Sequence, residues 1–261
     1  MMSIKTRNLK ITLSTLLLGA VINACAQDIA PDAMPVAAKH DVKSVATPVV
    51  EVPGNNDVVE FVNNRLTKKQ DAKKQKVLFI GDSLTEGLAR RFADYSEQNG
   101  YEQFSVIWYG STTKSWATTK DMQYYIDNEK PTFIILSLGT NDLGYHDLSR
   151  REEYVKEIIR KFGDIPFVWV GPVNLFKDPG IGAIIERNVG KGRFFKSNDF
   201  TYAKASDGIH PTLKASAQWM DRIANWLTSD ATDHPLMLEK PTQSTAFKNY
   251  VRRTPRYKGM L

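Results

Sequence analysis

The sequence predicts an α/β fold, a three-layer α/β/α sandwich built around a parallel sheet. Four short apolar runs occur, at 77–80, 104–109, 133–136 and 167–170. Each run is continuous rather than alternating, which is typical of a strand buried on both faces of a parallel sheet. Helix-length stretches lie between or after the runs, at 84–98, 115–128, 150–162 and 213–227. Strands that alternate with helices favour a doubly wound sheet with helices on both faces.

The N-terminus has the pattern of a bacterial export signal. Lys5, Arg7 and Lys10 precede an apolar stretch, Ile11–Ile22, that is too short to span a bilayer. Small residues before Cys25, the single cysteine of the sequence, are similar to a lipobox, in which the cysteine is lipidated and becomes the new N-terminus. We therefore predict an exported protein of the cell envelope, anchored by lipid to the outer membrane and facing the periplasm. An ordinary signal peptide cleaved near Cys25 is the alternative.

The chain divides into four predicted segments. Residues 1–24 form the signal peptide, and residues 25–74 form the lipidated N-terminus and a flexible tether with a short helix near 57–66. The regular domain covers residues 75–229, and residues 230–261 form a basic C-terminal extension. We expect that extension to be solvated and partly disordered.

The formal net charge of +6 does not indicate a nucleic-acid partner, because it is concentrated at the two ends of the chain. Residues 1–24 carry three basic and no acidic side chains, and residues 230–261 carry six basic against three acidic ones. Residues 25–229 are therefore neutral. A neutral domain lacks the basic surface that binding to a phosphate backbone requires.

The residues with chemical potential follow the predicted strands. Ser83 follows the first run, Gly110 the second and Asn141 the third, and Asp207 and His210 lie just before the last helix. Because ligands bind beyond the carboxyl ends of the strands in such sheets, these positions favour a single site. Each feature also has a plainer interpretation: Ser83 capping a helix, and the Asp-Gly dipeptide at 207–208 forming a turn.

Together, three of these residues have the chemistry of a nucleophilic triad. A serine hydroxyl becomes a good nucleophile when an imidazole takes its proton, and His210 is the candidate base for Ser83. Asp207 lies three residues before His210 and could hold the other ring nitrogen in the required tautomer. Ser83 also stands at a strand-to-helix junction, where developing negative charge is favoured.

The motifs resemble the sequence blocks of the SGNH (GDSL) hydrolases, over roughly residues 76–228. They are Gly-Asp-Ser at 81–83, Gly-Thr-Asn-Asp at 139–142 and Asp-Gly-Ile-His at 207–210. The resemblance implies a flavodoxin-like sheet, the SGNH hydrolase fold, and a serine esterase that needs no cofactor and no metal. It also implies three oxyanion donors: the backbone N–H groups of Ser83 and Gly110 and the side-chain amide of Asn141. Thr85 replaces the second glycine of a Gly-x-Ser-x-Gly elbow, which disfavours the α/β-hydrolase fold.

By analogy with envelope members of that family, we expect the substrate to be an acylated carbohydrate, with O-acetyl groups on a polysaccharide or peptidoglycan as the target. The sequence is also compatible with three alternatives. A lysophospholipase or lipase would use the same residues with a long apolar acyl groove, and an O-acetyltransferase would pass the acyl group to a sugar hydroxyl. The third alternative is a non-catalytic binding lipoprotein that retains only the scaffold.

Overall fold

The computed structural model describes residues 75–173 and 175–253, and one six-stranded sheet organises them. All neighbouring strands are parallel, in the order β5-β4-β3-β1-β2-β6. The strands are β1 (Lys76–Gly81), β2 (Glu102–Trp108), β3 (Phe133–Ser137), β4 (Phe167–Val170), β5 (Phe194–Phe195) and β6 (Tyr250–Arg253). The predicted α/β class is confirmed, and the sheet is flavodoxin-like, with one further strand, β6, beyond β2.

Helices cover both faces of the sheet and complete the three-layer sandwich. They are α1 (Thr85–Asn99), α2 (Thr113–Thr118), α3 (Asp121–Glu129), α4 (Leu148–Phe162), α5 (Ile181–Val189) and α6 (Leu213–Leu227). Helices α1 and α6 pack on one face, and the other four pack on the opposite face. Among the described residues, no helix is both long and apolar enough to cross a membrane.

Strand β1 lies at the centre of the sheet and explains the continuous apolar runs. Val77 and Phe79 enter the core on the α1 and α6 side, whereas Leu78 and Ile80 enter the core on the other side. All four side chains are buried because both faces of the strand are covered. The chain leaves β1 toward β2 on one side and returns through β3 on the other. The carboxyl ends of β1 and β3 therefore form the switch point where such sheets bind ligands.

The single helix predicted over 115–128 is wrong, because two helices occupy this stretch. Helix α2 ends at Thr118, and Thr119 adopts an extended conformation. The ammonium group of Lys161 donates to the carbonyl oxygens of Trp116, Ala117 and Thr119, at 2.8, 2.6 and 2.8 Å. These carbonyls at the end of α2 thus bind a cation from α4, and the chain turns before α3 begins.

Helix α5 and strand β5 were not predicted. Helix α5 lies in a stretch with several glycines, a residue of low helix propensity. The Asp178 carboxylate caps its N-terminus by accepting from the backbone N–H groups of Gly180, Ile181 and Gly182, at 2.8–2.9 Å. Strand β5 is only two residues long, too short for a recognisable hydrophobic pattern.

The domain boundary predicted at residue 229 is too early, because the chain continues against the same core through residue 253. Leu236 and Leu238 are buried in the α1 and α6 core. Asn99, at the end of α1, exchanges two hydrogen bonds with the backbone of Glu239, at 3.0 and 2.8 Å. Strand β6 then adds to β2. The signal peptide, Cys25, the tether and the helix near 57–66 lie outside the described residues.

Replacing Leu236 by alanine should test whether the C-terminal segment belongs to the domain. The side chain is 2% exposed, and Leu236→Ala should lower the free energy of unfolding by about 2–5 kcal/mol because it leaves a cavity in the core. The matched control is Leu213→Ala, since Leu213 is 72% exposed and should change stability by less than about 0.5 kcal/mol. Urea unfolding measures both, and equal effects would contradict this packing.

Candidate active site

The turn between β1 and α1 positions Ser83. Gly81 ends β1 so close to β3 that a Cβ atom added there would lie 2.0 Å from the Ser137 carbonyl oxygen. Only glycine allows this approach. The Asp82 carboxylate then accepts from the Leu84 N–H at 3.0 Å and stabilises the turn. Ser83 therefore lies at the carboxyl end of the central strand, one residue before the helix cap.

The structure brings Ser83 and His210 together, although 127 positions separate them in the chain. The Ser83 Oγ atom lies 2.8 Å from His210 Nε2, and His210 Nδ1 lies 2.7 Å from Asp207 Oδ2. A carboxylate at Nδ1 favours the tautomer that carries its proton there. In that tautomer Nε2 is free to accept a proton from the Ser83 hydroxyl, as the triad interpretation of the sequence requires.

Asp207 is held by its own loop as well as by the imidazole. Its Oδ1 atom accepts from the backbone N–H groups of Ile209 and His210, at 2.9 and 3.0 Å. The hydrogen bond from Ile209, followed by those from the His210 ring and backbone, lowers the pKa of Asp207 to about 2. The carboxylate therefore stays charged at neutral pH, and its exposure to solvent favours the charged form as well.

The segment that carries His210 is a short antiparallel turn that leads directly into α6. The N–H of Ala205 donates to the His210 carbonyl at 2.7 Å, and the N–H of Thr212 donates to the Ala203 carbonyl at 2.9 Å. The Thr212 hydroxyl also accepts from the N–H of Ala215 and caps α6. Both ends of this turn are thus fixed, which orients the imidazole toward Ser83.

Asn141 lies in a 3-10 turn that follows β3, beside the segment that follows β2. Its side-chain amide donates to the carbonyl oxygen of Ser111, the residue after Gly110, at 3.0 Å. This contact uses one of the two amide hydrogens and leaves the second for another acceptor. The sequence-predicted donors Gly110 and Asn141 are therefore neighbours across two loops.

Two of the backbone N–H groups that follow the strands have no acceptor among residues 75–173 and 175–253 and are of interest here because the sequence predicts them as oxyanion donors. They belong to Ser83 and Gly110, whereas the N–H groups of Asp82 and Ser111 donate to the Ser137 and Trp108 carbonyls at 3.3 and 3.1 Å. Gly110 has φ of 70°, a conformation that favours glycine. Groups of this kind are available to a ligand.

A buried ionic network lies beneath Asn141. The Asp142 carboxylate accepts from the Thr113 N–H at 2.9 Å and the Thr113 hydroxyl at 2.7 Å, and it pairs with Arg151 at 2.9 Å. Burial is the largest influence on Asp142 and raises its pKa despite these donors. Arg151 is also sandwiched against the Tyr145 ring, 3.9 Å from its centroid. The network fixes the turn that carries Asn141.

Asp82 differs from Asp142 because one of its oxygens has no partner. Oδ1 accepts from Leu84, but Oδ2 is buried without a hydrogen bond to any described residue. Burial, with a smaller contribution from the Asp142 charge, raises the pKa of Asp82 to about 7. A protonated Asp82 avoids placing a second negative charge beneath the site.

An open cavity of about 380 Å³ contains both Ser83 and His210 in its wall. The side of the cavity formed by α1 is charged, a feature that the sequence did not reveal. Glu86 accepts from Arg90 at 2.8 Å, from Arg252 on β6 at 2.6 and 3.1 Å, and from the Tyr109 hydroxyl. Glu86 and Arg90 have the i,i+4 spacing of a helical ion pair, which can be recognised in the sequence. Arg252, however, belongs to the C-terminal extension, which the sequence analysis predicts to be solvated.

A further histidine and several aromatic side chains lie outside this cavity. His146 is exposed, and Trp116 is fully buried, with its indole N–H donating to the Ser111 hydroxyl at 3.0 Å. Tyr124 is exposed on α3, where its ring packs against Tyr125. Within the described residues, no group of three or more histidine, cysteine or acidic side chains has the arrangement of a metal site.

Asp82→Asn should change how stability depends on pH. Because the folded-state pKa of Asp82 is raised, its contribution to stability is fully present below its unfolded value of 3.8 and is lost as the pH rises through about 7. Between about pH 4 and pH 8, the unfolding free energy of the wild type relative to Asp82→Asn should fall, on the order of 4 kcal/mol. Denaturant titrations across this range measure it, and a pH-independent difference would contradict a raised pKa.

Comparison with known proteins does not identify a family for this chain. A scan of the chain against protein-family models and a search of curated proteins both give no match. The arrangement of Ser83, His210 and Asp207 is therefore the observation on which a function must be based.

Proposed function

We propose that this protein is a serine esterase that hydrolyses its substrate through an acyl-serine intermediate. One observation carries the proposal: an unbroken chain of hydrogen bonds from the Ser83 hydroxyl through the His210 imidazole to the Asp207 carboxylate, at 2.8 and 2.7 Å. These distances are within the range needed for proton transfer by a general base. The resemblance to the SGNH hydrolases, through Gly-Asp-Ser and Asp-Gly-Ile-His, supports the same reaction.

The first half of the reaction acylates the serine. Nε2 of His210 takes the hydroxyl proton while Ser83 Oγ attacks the ester carbonyl carbon, and a tetrahedral oxyanion forms. The resulting imidazolium is stabilised by the Asp207 carboxylate. When the oxyanion collapses, the bond to the alcohol oxygen breaks and His210 returns the proton to that oxygen. A water molecule, deprotonated by His210, then attacks the acyl-serine by the same steps and releases the acid.

The oxyanion would be stabilised by the N–H groups of Ser83 and Gly110 and by the Asn141 amide. The two backbone donors have no acceptor among the described residues, and Asn141 has one amide hydrogen left after its contact with Ser111. Donors that are oriented before the reaction need no rearrangement as charge develops, which is why such groups contribute strongly to catalysis. The Asp142, Thr113 and Arg151 network would serve the reaction by keeping Asn141 in place.

We further propose that the substrate is a polar ester, with O-acetyl groups on a cell-envelope carbohydrate as the target. The wall of the cavity beside Ser83 contains Glu86, Arg90 and Tyr109 as well as Leu84, Pro211 and Leu213, and its charged side suits a hydroxyl-rich ligand better than a long acyl chain. A second cavity, which Ile209 and Pro211 line beside mostly apolar side chains, is small, about 90 Å³. The export signal and the lipidation of Cys25, inferred from sequence, would place the enzyme in the envelope.

Removing the nucleophile or the base should abolish esterase activity. With 4-nitrophenyl acetate, Ser83→Ala and His210→Ala should each lower kcat by roughly 10⁴-fold or more, because the two groups act as one unit. Ser149→Ala, an exposed serine on α4, is the matched control and should retain activity. A fluorophosphonate probe should label Ser83 in the wild type, as read by mass spectrometry. Equal rates in the wild type and Ser83→Ala would refute the proposal.

Asn141→Ala should lower kcat by about 10²-fold to 10³-fold with little change in KM, because an oxyanion donor acts mainly in the transition state. The comparison variant is Asn128→Ala, which removes an exposed amide that contacts only the Tyr124 carbonyl of its own helix, at 2.6 Å, among the described residues. Steady-state kinetics on acetyl esters measure both variants. A change in KM alone would assign Asn141 to substrate binding instead.

A further inference from the structure

The charged wall of the cavity indicates what the ester carries besides its acyl group. Two arginines, Arg90 and Arg252, meet one carboxylate, Glu86, and no other acidic residue of the described chain forms an ion pair with either arginine. Burial alone would raise the pKa of Glu86, but hydrogen bonds from Arg252, Tyr109 and Arg90 outweigh it and lower that pKa to about 2. The cluster therefore keeps one net positive charge at neutral pH.

Arg90 is the arginine that keeps donors for a ligand. Among the described residues, Arg252 binds the Glu86 carboxylate with two N–H groups, whereas Arg90 donates only one, at 2.8 Å. A guanidinium has five N–H donors, so four remain on Arg90. Arg90 also lines the cavity that contains Ser83, and its side chain is 43% exposed. Its charge is thus available to solvent or ligand, because Arg252 already neutralises Glu86.

The position of Arg90 on α1 sets its distance from the reaction. It lies seven residues after Ser83, which is about 10 Å along a helix, and helical side chains lean toward the N-terminus. The guanidinium is packed over the Phe247 ring, 5.1 Å from its centroid. Phe247, from the C-terminal segment, therefore supports the Arg90 side chain, which lines the same cavity as Ser83.

From this geometry we propose that Arg90 binds an anionic group, a carboxylate, on the alcohol portion of the ester, and that Arg252 positions it by occupying Glu86. The inference rests on the proposed esterase function. The alcohol portion is assigned because His210 must reach the leaving oxygen to protonate it, and His210 lines the same cavity as Arg90. The substrate class is then an acetylated acidic carbohydrate rather than a neutral one. Bidentate pairing with a carboxylate is the favoured mode of a guanidinium.

The test compares two acetate esters with the purified full chain. 4-Acetoxybenzoate carries a carboxylate on its leaving group, and its methyl ester is the neutral match. The quantity measured is the preference ratio, kcat/KM for the anionic ester divided by kcat/KM for the neutral one. Because the intrinsic reactivity of each ester is the same for every variant, changes in this ratio report recognition alone.

Arg90→Gln should lower the preference ratio by about tenfold, mainly through KM for the anionic ester, since the contact is remote from the reacting atoms. Arg90→Lys should give an intermediate ratio, because it keeps the charge but not the planar donors. Arg252→Gln should also lower the ratio, because Glu86 would then pair with Arg90 alone. Arg160→Gln, an exposed arginine paired with Glu157 on α4, is the matched control and should leave the ratio unchanged.

High salt supplies an independent readout. Near 1 M salt the ratio should fall in the wild type and change little in Arg90→Gln, because screening weakens an exposed charge contact. A ratio within about twofold of wild type in Arg90→Gln would overturn the inference while leaving the esterase function intact.

Failure of the esterase proposal can be recognised separately. If the wild type hydrolyses neither ester, binding of 4-hydroxybenzoate to Ser83→Ala is measured by NMR titration, with and without Arg90→Gln. Binding about tenfold weaker without the arginine would support an anion site that is independent of hydrolysis. Equal binding would overturn the site as well.

Discussion

The close packing of α1 against α6 is the constraint on which the candidate site depends. At Gly87 the two helices are so close that a Cβ atom would lie 2.3 Å from the Ser216 hydroxyl oxygen. Ser83 precedes Gly87 by about one helical turn, and His210 precedes the N-terminus of α6 by three residues. The helix contact therefore sets the separation between nucleophile and imidazole, and the short turn before α6 only has to orient the ring. A 2.8 Å contact across 127 positions of sequence is thus fixed by the core.

The acidic groups around the site differ in their surroundings and therefore in their chemistry. Asp207 is exposed and held by backbone donors, so its pKa is lowered and it remains a carboxylate beside the imidazole. Asp82 and Asp142 lie beneath the strand ends, where burial raises the pKa of each. Asp142 is paired with Arg151, whereas one oxygen of Asp82 has no hydrogen-bond partner within the described part of the chain. The raised pKa of Asp82 and the ion pair at Asp142 reduce the uncompensated negative charge under the turn that carries the nucleophile, where an oxyanion would otherwise be repelled.

The local sequence pattern predicted an element correctly where the signal for its secondary structure and for its burial lay within the same segment. The runs at 77–80 and 167–170 are strands, and the stretch 213–227 is α6 with the predicted bounds, because strong periodicity or strong burial signals lie within the segment itself. The prediction of one helix over 115–128 was wrong because the interaction that ends α2 lies outside that segment. What ends α2 is the ammonium of Lys161, more than forty positions away, and no window along the sequence contains that interaction. The prediction of a solvated tail after residue 229 was wrong for a similar reason. The few apolar residues of this segment, such as Leu236, have no helical or strand-like periodicity, yet they pack into the core beside α1 and α6.

By itself the sequence determined the fold class, the position of each polar motif at a strand end, and the pairing of Ser83 with His210 as candidates. These are local properties. Continuous apolar runs indicate strands that are buried on both faces, and the alternation of these runs with helices indicates how the strands are connected. Only the tertiary structure decided which side chains surround the nucleophile. Arg252 reaches Glu86 because β6 adds to the edge of the sheet, and Arg90 is left with unused donors because of that contact. Such charge balances depend on distances between segments remote in sequence, and Coulomb interactions follow those distances rather than sequence order.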